Sequence, residues 1–132
     1  VKAASQNANF LLNVGPMPDG AIQPEFKDTL AAVGKWLQQN GESIYGTRGA
    51  VTKTQDWGVV TAKEKTWYIH IIKKPNEAAY IFIPELQQKV LKCSLLGTKQ
   101  IVKFKQQPEG LFVYLDGITL DNIDTVIEMQ LK

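Results

Sequence analysis

At 132 residues, with 44% hydrophobic and 21% charged side chains, the chain can bury one sizeable core, or a smaller core with an appendage. Fifteen basic against thirteen acidic residues leave a formal charge of +2. That is too balanced for a nucleic-acid binder or a ligand of anionic membranes, and no apolar run is long enough to span a bilayer. The single cysteine, Cys93, excludes an internal disulfide, and with the single histidine, His70, it cannot supply a structural zinc site. No metal and no cofactor are expected.

The chain opens on Val1, and VKAASQNAN lacks the charged-then-apolar pattern of a signal peptide. This beginning is that expected of a piece of a longer protein. No Asn-x-Ser/Thr acceptor for N-glycosylation occurs. Phe10, Leu11, Leu12 and Val14 form an apolar run interrupted only by Asn13. Such a run suits a strand covered on both faces, as in a parallel sheet. It stops at Gly15-Pro16-Met17-Pro18-Asp19-Gly20, where two prolines remove donors and Gly20 permits a positive φ, so a rigid turn is predicted.

A helix follows. Pro24 suits its first turn, Glu25 and Asp28 complement its dipole, and Asn40-Gly41 supplies a stop with glycine available for the left-handed position. Phe26, Leu30, Val33 and Leu37 recur at helical spacing as one apolar stripe. Burying each would contribute roughly 1.5–3 kcal/mol, so the helix needs a partner surface. Gly34, about 1 kcal/mol worse than Ala inside a helix, points to close packing there. Strand, turn and amphipathic helix together make half of a βαβ unit.

From about Trp57 the period changes to two. Strands are predicted at 58–62, 66–73, 79–83, 89–96, 100–106, 111–116 and 125–131. Ile101, Lys103 and Lys105 alternate with Val102 and Phe104, a half-buried edge pattern. Val126, Glu128 and Gln130 alternate in the same way with Ile127, Met129 and Leu131. Breakers fall at 63–65, 74–76, 97–98, 108–110 and 121–122. Short strands at this spacing argue for an antiparallel β-sandwich. The boundary between the two halves is expected between Gly41 and Trp57, as a packed connection and not a floppy linker.

The segment Asn9-Phe10-Leu11-Leu12-Asn13-Val14-Gly15-Pro16, followed by Asp19-Gly20, resembles a signature of the alpha-L-fucosidase family of retaining glycosidases. The likeness continues through Gly34-Lys35-Trp36-Leu37, Asn40-Gly41-Glu42 and Ile44-Tyr45-Gly46-Thr47-Arg48. It departs at Ala8, Phe10 and Gly49, none of which removes a chemical group. The resemblance implies a mainly β chain: residues 1–47 as the final β/α element of a truncated catalytic (β/α) barrel, then a C-terminal antiparallel β-sandwich over 48–132. Val1 to Ser5 would be the tail of the preceding barrel helix. It implies a parent that hydrolyses alpha-L-fucosides with retention, whose two catalytic carboxyl groups lie upstream of residue 1. This chain would brace the barrel and be inactive alone. The implied partners are a fucosylated glycan through the parent and the missing barrel. A secreted or periplasmic location is expected, or a lysosomal one in a eukaryote. The rival reading is a stand-alone sandwich that binds carbohydrate or another protein. Residues 1–46 discriminate, because such a module has no need of a buried parallel strand and a barrel helix.

Asn13 is the one substrate-binding candidate, as a polar residue at the C-terminal end of an apolar strand, where barrel enzymes place their chemistry. Bonding to a neighbouring loop is its bland alternative. Asp19 is expected to form the turn, Met17 to fill a gap or else line the rim, Glu42 to be structural or solvated, and Asp116 and Glu128 to take outward positions in or beside strands. His70 is expected as a surface or hydrogen-bonded strand residue, and Cys93 as an inert small hydrophobe. Trp57, Trp67, Tyr80 and Tyr114 could stack on sugar, although core roles are commoner for aromatics in small sandwiches. Without its barrel, the stretch 9–14 is expected to self-associate, fold on the sandwich or lose strand form.

Overall fold

The computed structural model describes residues 1–50, 52, 54–75 and 79–132. Its elements in chain order are the one-turn helix α1 (Lys2–Ser5), the long helix α2 (Pro24–Asn40) and strands β1 (Arg48–Gly49), β2 (Gly58–Lys63) and β3 (Thr66–Ile71). After these come β4 (Tyr80–Pro84), β5 (Val90–Leu95), β6 (Phe104–Gln107), β7 (Gly110–Tyr114) and β8 (Thr125–Leu131). Two antiparallel sheets face each other, one ordered β1-β2-β3-β8-β5 and the other β4-β7-β6.

Alternation decides which side chains meet between the sheets. In β3 and β8, Ile69 pairs with Ile127 and Trp67 with Met129. On the opposing sheet Ile81 pairs with Val113 and Ile83 with Leu111. All eight are buried in one apolar cluster with Cys93 and Val102. The expected strands all form, shifted by a few residues at their ends. The largest shift is at 100–106, where only Phe104–Gln107 is regular and Ile101 makes a single bridge to Ser94. The short β1 has no signature in the sequence; it is held against β2 through the pairs Arg48↔Ala62 and Gly49↔Thr61. Asn76 of the expected breaker, with Val51 and Lys53 of the expected boundary, lies outside the described residues.

The first forty-six residues depart from the strand-turn-helix pattern in three ways, the first of them among the outcomes expected of 9–14 without its barrel. The stretch Phe10–Val14 has no regular strand form, and Phe10 and Leu11 are 75% and 83% exposed. Strand backbone needs neighbours for its N–H and C=O groups, and no described strand lies beside it. Second, α2 runs Pro24–Asn40 as predicted, yet Phe26, Leu30 and Val33 of its stripe remain exposed. The helix docks instead through Trp36, which packs on Tyr68, Leu96 and Val126, on the outer face of the larger sheet. A side chain added at Gly34 would meet nothing within 4 Å, so close packing is absent there. Third, Gly41 is right-handed (φ −59, ψ −28) and leads into a 3-10 turn over Gly41–Ser43; the left-handed glycine is Gly46, at φ 72. Gly41 is wanted for space, since a Cβ there would sit 2.7 Å from the Tyr45 ring.

The opening helix is anchored. Asn7 Oδ1 accepts the Gly49 N–H at 2.9 Å, and any side chain at Gly49 would strike the Ser5 carbonyl oxygen.

Candidate functional site

The turn 16–22 carries the residues closest to the predicted substrate site. Met17 N–H donates to the Ala21 carbonyl (2.8 Å) and Pro16 bridges Ile22. Asp19 Oδ1 accepts the Ala21 N–H at 3.0 Å, the turn-forming role expected of it. Met17 is partly buried, whereas Asn13 is exposed in the irregular stretch preceding the turn. A shallow cleft of about 340 Å³ lies elsewhere, between Asp56-Trp57 and Tyr80–Phe82, and neither Asn13 nor Asp19 lines it.

A polar cluster that local sequence patterns do not reveal sits beneath Trp36, on the outer face of the larger sheet. His70 on β3 is fully buried, and its Nδ1 is 2.8 Å from Asp124 Oδ2 while Nε2 is 3.2 Å from Thr61 Oγ1 on β2. Thr61 Oγ1–H donates to the Ser43 carbonyl at 2.7 Å. With its one proton committed there, Thr61 can only accept from His70 Nε2–H, which assigns that nitrogen as a donor. The Trp36 indole lies over the imidazole, with ring centroids 6.5 Å apart. Hydroxyl, imidazole and carboxylate follow in the order of a nucleophile, base and orienter. The chemistry does not follow, because Thr61 is fully buried and its proton points to a carbonyl. A nucleophile must reach its substrate. The cluster instead ties the 3-10 turn after α2 to the sheet, through Ser43. Among the described residues, Asp124 Oδ1 and Trp36 Nε1 are buried without a partner.

Two carboxylates share one lysine. Lys99 Nζ bonds Glu128 Oε2 at 2.8 Å and lies 3.8 Å from Glu42 Oε1. A retaining glycosidase needs one carboxyl held protonated and one ionised, about 5–5.5 Å apart. Here the hydrogen bond from Lys99, in spite of some burial, lowers the Glu128 pKa, and the same bond raises that of Lys99. Glu128 is thus not set up as a general acid. Beside them, the Tyr68 hydroxyl is pushed up by burial and then by Glu42 and Glu128. Asp116 is exposed, as expected. Burial alone raises the Cys93 thiol to about 12, which keeps it from acting as a nucleophile. Among the described residues no group of three or more His, Cys, Asp or Glu could hold a metal ion, and no helix is long and apolar enough to cross a membrane.

The four aromatic candidates divide. Trp57 and Trp67 are core, while Tyr80 and Tyr114 face outward across the smaller sheet.

Comparison with known proteins supplies what the chain's own chemistry lacks. The family model described as Alpha-L-fucosidase matches residues 1–42. The tissue alpha-L-fucosidase of Bos taurus is 34% identical over 142 residues, a match taking in 100% of this chain and 29% of that protein. That of Mus musculus is 35% identical over 121 residues, covering 87% of this chain and 26% of that protein. Among solved structures, alpha-L-fucosidase isoenzyme 1 from Paenibacillus thiaminolyticus superposes with a TM-score of 0.87 at 34% identity, over 99% of this chain and 32% of that one. An alpha-L-fucosidase from Bacteroides thetaiotaomicron, a trapped covalent intermediate in complex with 2-fluoro-fucosyl fluoride, gives a TM-score of 0.89 at 25% identity, over 99% and 30%. The chain thus spans about three tenths of the proteins it matches along almost its full length.

Proposed function

The chain belongs to the alpha-L-fucosidase family, and we propose that it is the C-terminal part of an enzyme that hydrolyses alpha-L-fucosides with retention of configuration. In this reading residues 1–47 complete the catalytic barrel and 48–132 form the sandwich that braces it. The catalytic pair lies outside the chain, which is inactive alone. The observation that carries the proposal is a coincidence of place. The stretch matched by the family model, 1–42, holds six of the eleven exposed large apolar side chains among the described residues, Phe10, Leu11, Leu12, Phe26, Leu30 and Val33. Apolar groups at helical spacing stabilise a fold only against a second surface, and an upstream barrel is that surface.

Retention is supported by the Bacteroides relative, a trapped covalent intermediate, since a glycosyl-enzyme is the signature of the double-displacement route. Asn13 is assigned to the sugar-facing rim, where pairing of 9–14 into the barrel would set its side chain at the strand's C-terminal end. The substrate is a fucosylated glycan reached through the parent enzyme, which acts in a secreted, periplasmic or lysosomal setting. Deprived of the barrel, 9–14 is a site of self-association.

Two measurements test this. The purified chain, its mass verified, is expected to leave a chromogenic alpha-L-fucoside untouched; turnover at that mass would place a catalytic pair within these residues and end the proposal. A chimera carrying this chain in place of the matching segment of the Paenibacillus enzyme is expected to hydrolyse the same fucoside, and the full-length parent, with its own carboxyl pair, to release fucose first as the alpha anomer. In that chimera Asn13→Ala should lower kcat/KM by about tenfold, the worth of one hydrogen bond to substrate. First release of the beta anomer would refute retention, and an unchanged kcat/KM would remove Asn13 from the site.

A further inference from the structure

The outer face of the smaller sheet is built as a surface for something other than water. Tyr80 pairs with Tyr114 and Phe82 with Phe112 across β4 and β7. Since Ile81, Ile83, Leu111 and Val113 point into the core, these four rings share the opposite face. Their centroids are 5.4 Å apart for Tyr80–Phe112, 6.3 Å for Tyr80–Tyr114 and 4.7 Å for Phe82–Phe112, a continuous aromatic strip. Tyr80 is 44% exposed and the others partly so. Polar residues would satisfy a solvated sheet face at no cost to the core, so four adjoining rings call for another explanation.

The missing barrel does not supply one. Trp36 fixes α2 on the outer face of the larger sheet, so the surface that α2 belongs to lies on the far side of the sandwich from the strip.

Charge narrows the occupant. Lys105 pairs with Phe112, and the Lys103 carbonyl accepts the Tyr114 N–H. Both lysines are exposed, Lys105 on the edge strand β6 and Lys103 one residue before it, alternate residues about 7 Å apart in extended backbone. Among the described residues, Glu85, Glu109 and Asp116 lie in the turns beyond the ends of the paired rings, and Asp56 lines the cleft beside Tyr80 and Phe82, at the β4 edge opposite the lysines. Pyranose rings present C–H faces that stack on the electron-rich faces of aromatics, and anionic substituents on the sugar would pair with the two lysine ammonium groups.

We propose that Tyr80, Phe82, Phe112 and Tyr114, with Lys103 and Lys105, form a binding face for a sulfated oligosaccharide, separate from the catalytic barrel. The choice of glycan over other anions rests on the fucosidase assignment, which brings the chain to glycans. The face would hold the parent on an anionic, fucose-bearing polymer while hydrolysis proceeds elsewhere.

The test is a calorimetric titration of the 132-residue chain with three probes: a heparin-derived hexasaccharide, a neutral fucosylated hexasaccharide and a deoxythymidine hexamer. The heparin fragment should bind most tightly, shift the amide resonances of β4, β6 and β7, and weaken as salt rises. Tyr80→Ala with Tyr114→Ala, and separately Lys103→Ala with Lys105→Ala, should each weaken it about tenfold or more, the scale of losing a stacked ring or a paired charge. Lys99→Ala, on the larger sheet's side, should leave it unchanged. Unchanged binding in the lysine pair variant, both sites being exposed and harmless to folding, would mean a diffuse polyanion effect and overturn the proposal. So would equal affinity for the neutral sugar, tighter binding of the oligonucleotide, no binding at all, or a concentration-dependent dimer abolished by the tyrosine variants. None of these outcomes bears on whether the chimera hydrolyses fucosides, so the two proposals fail independently.

Discussion

Helix α2 and strand β8 both repeat apolar side chains with the period of their own secondary structure, and their circumstances are opposite. In β8, Ile127 and Met129 are fully buried between the sheets, and Val126, pointing outward, is buried as well because Trp36 covers it. In α2 no residue is buried, and the stripe of Phe26, Leu30 and Val33 is 39–45% exposed. The sandwich owns both of its layers, so an alternating strand finds its partner within the chain. The helix owns one layer and touches the sandwich mainly at its C-terminal end. An amphipathic pattern thus specifies that a face will be buried, without specifying by what.

The comparison breaks most sharply at His70. Replacing it with Leu leaves Asp124 buried without its partner, and should destabilise the chain by about 3–5 kcal/mol in denaturant unfolding. Pairing it with Asp124→Leu should recover much of that loss, because an apolar pair leaves no orphaned charge. A loss under about 1 kcal/mol in the single variant would mean that the cluster is open to water.

Next in size is the contrast between layers. Ile127→Ala, at a fully buried site, should cost about 2–5 kcal/mol. Leu30→Ala in α2 should cost less than about 1 kcal/mol in this chain, and about 2 kcal/mol or more in the chimera with a complete barrel if, as proposed, the barrel covers the stripe. Equal costs in the two settings would deny α2 its upstream partner.

Trp36→Ala should release the helix while sparing the sheets. Amide exchange in α2 should speed up about tenfold or more, with exchange at Ile69 and Ile127 slowed as before. Uniform acceleration would instead make the helix part of the same cooperative unit as the sandwich.

The smallest effect belongs to Lys99. Its side chain is 57% exposed, so Lys99→Met should cost under about 1 kcal/mol after solvent screening. The sign with pH follows from the two shifts. The Glu128 pKa is depressed by its bond from Lys99, so its contribution is present above the ordinary glutamate value of about 4.3 and fades as pH falls through the lowered one. The Lys99 pKa is raised, so its contribution is whole below about 10.4 and is lost as pH rises through the raised value. The difference between native and variant chains should therefore be flat from about pH 5 to 10 and shrink at both extremes.

Much of the fold was legible from local pattern. Pro24 and Asn40-Gly41 marked the ends of α2, and alternation in 100–106 and 125–131 showed which residues face the core. What escaped were contacts between distant residues. His70 and Asp124 are 54 positions apart, and no pattern near either announces the other. Gly41 looked like a left-handed stop, and its use is set by Tyr45, whose ring fills the space a side chain would need. The strip Tyr80–Tyr114 was visible as aromatics, but Trp57 and Trp67 were visible in the same way and went to the core. Only the tertiary packing tells the two pairs apart. Asn13 stood out because it interrupts an apolar run, and the chain alone leaves it exposed, since the strands that would flank it are not among the described residues.

By itself the sequence determined helix α2, the seven longer strands β2–β8 and the inward faces of those strands, because backbone preference and periodicity act between near neighbours in the chain. The tertiary structure alone decided that β8 lies between β3 and β5, that Trp36 and not the apolar stripe docks the helix, and that one aromatic pair is buried while another faces out. Those outcomes depend on pairing between segments far apart in sequence, where many arrangements satisfy the same local pattern and packing selects one.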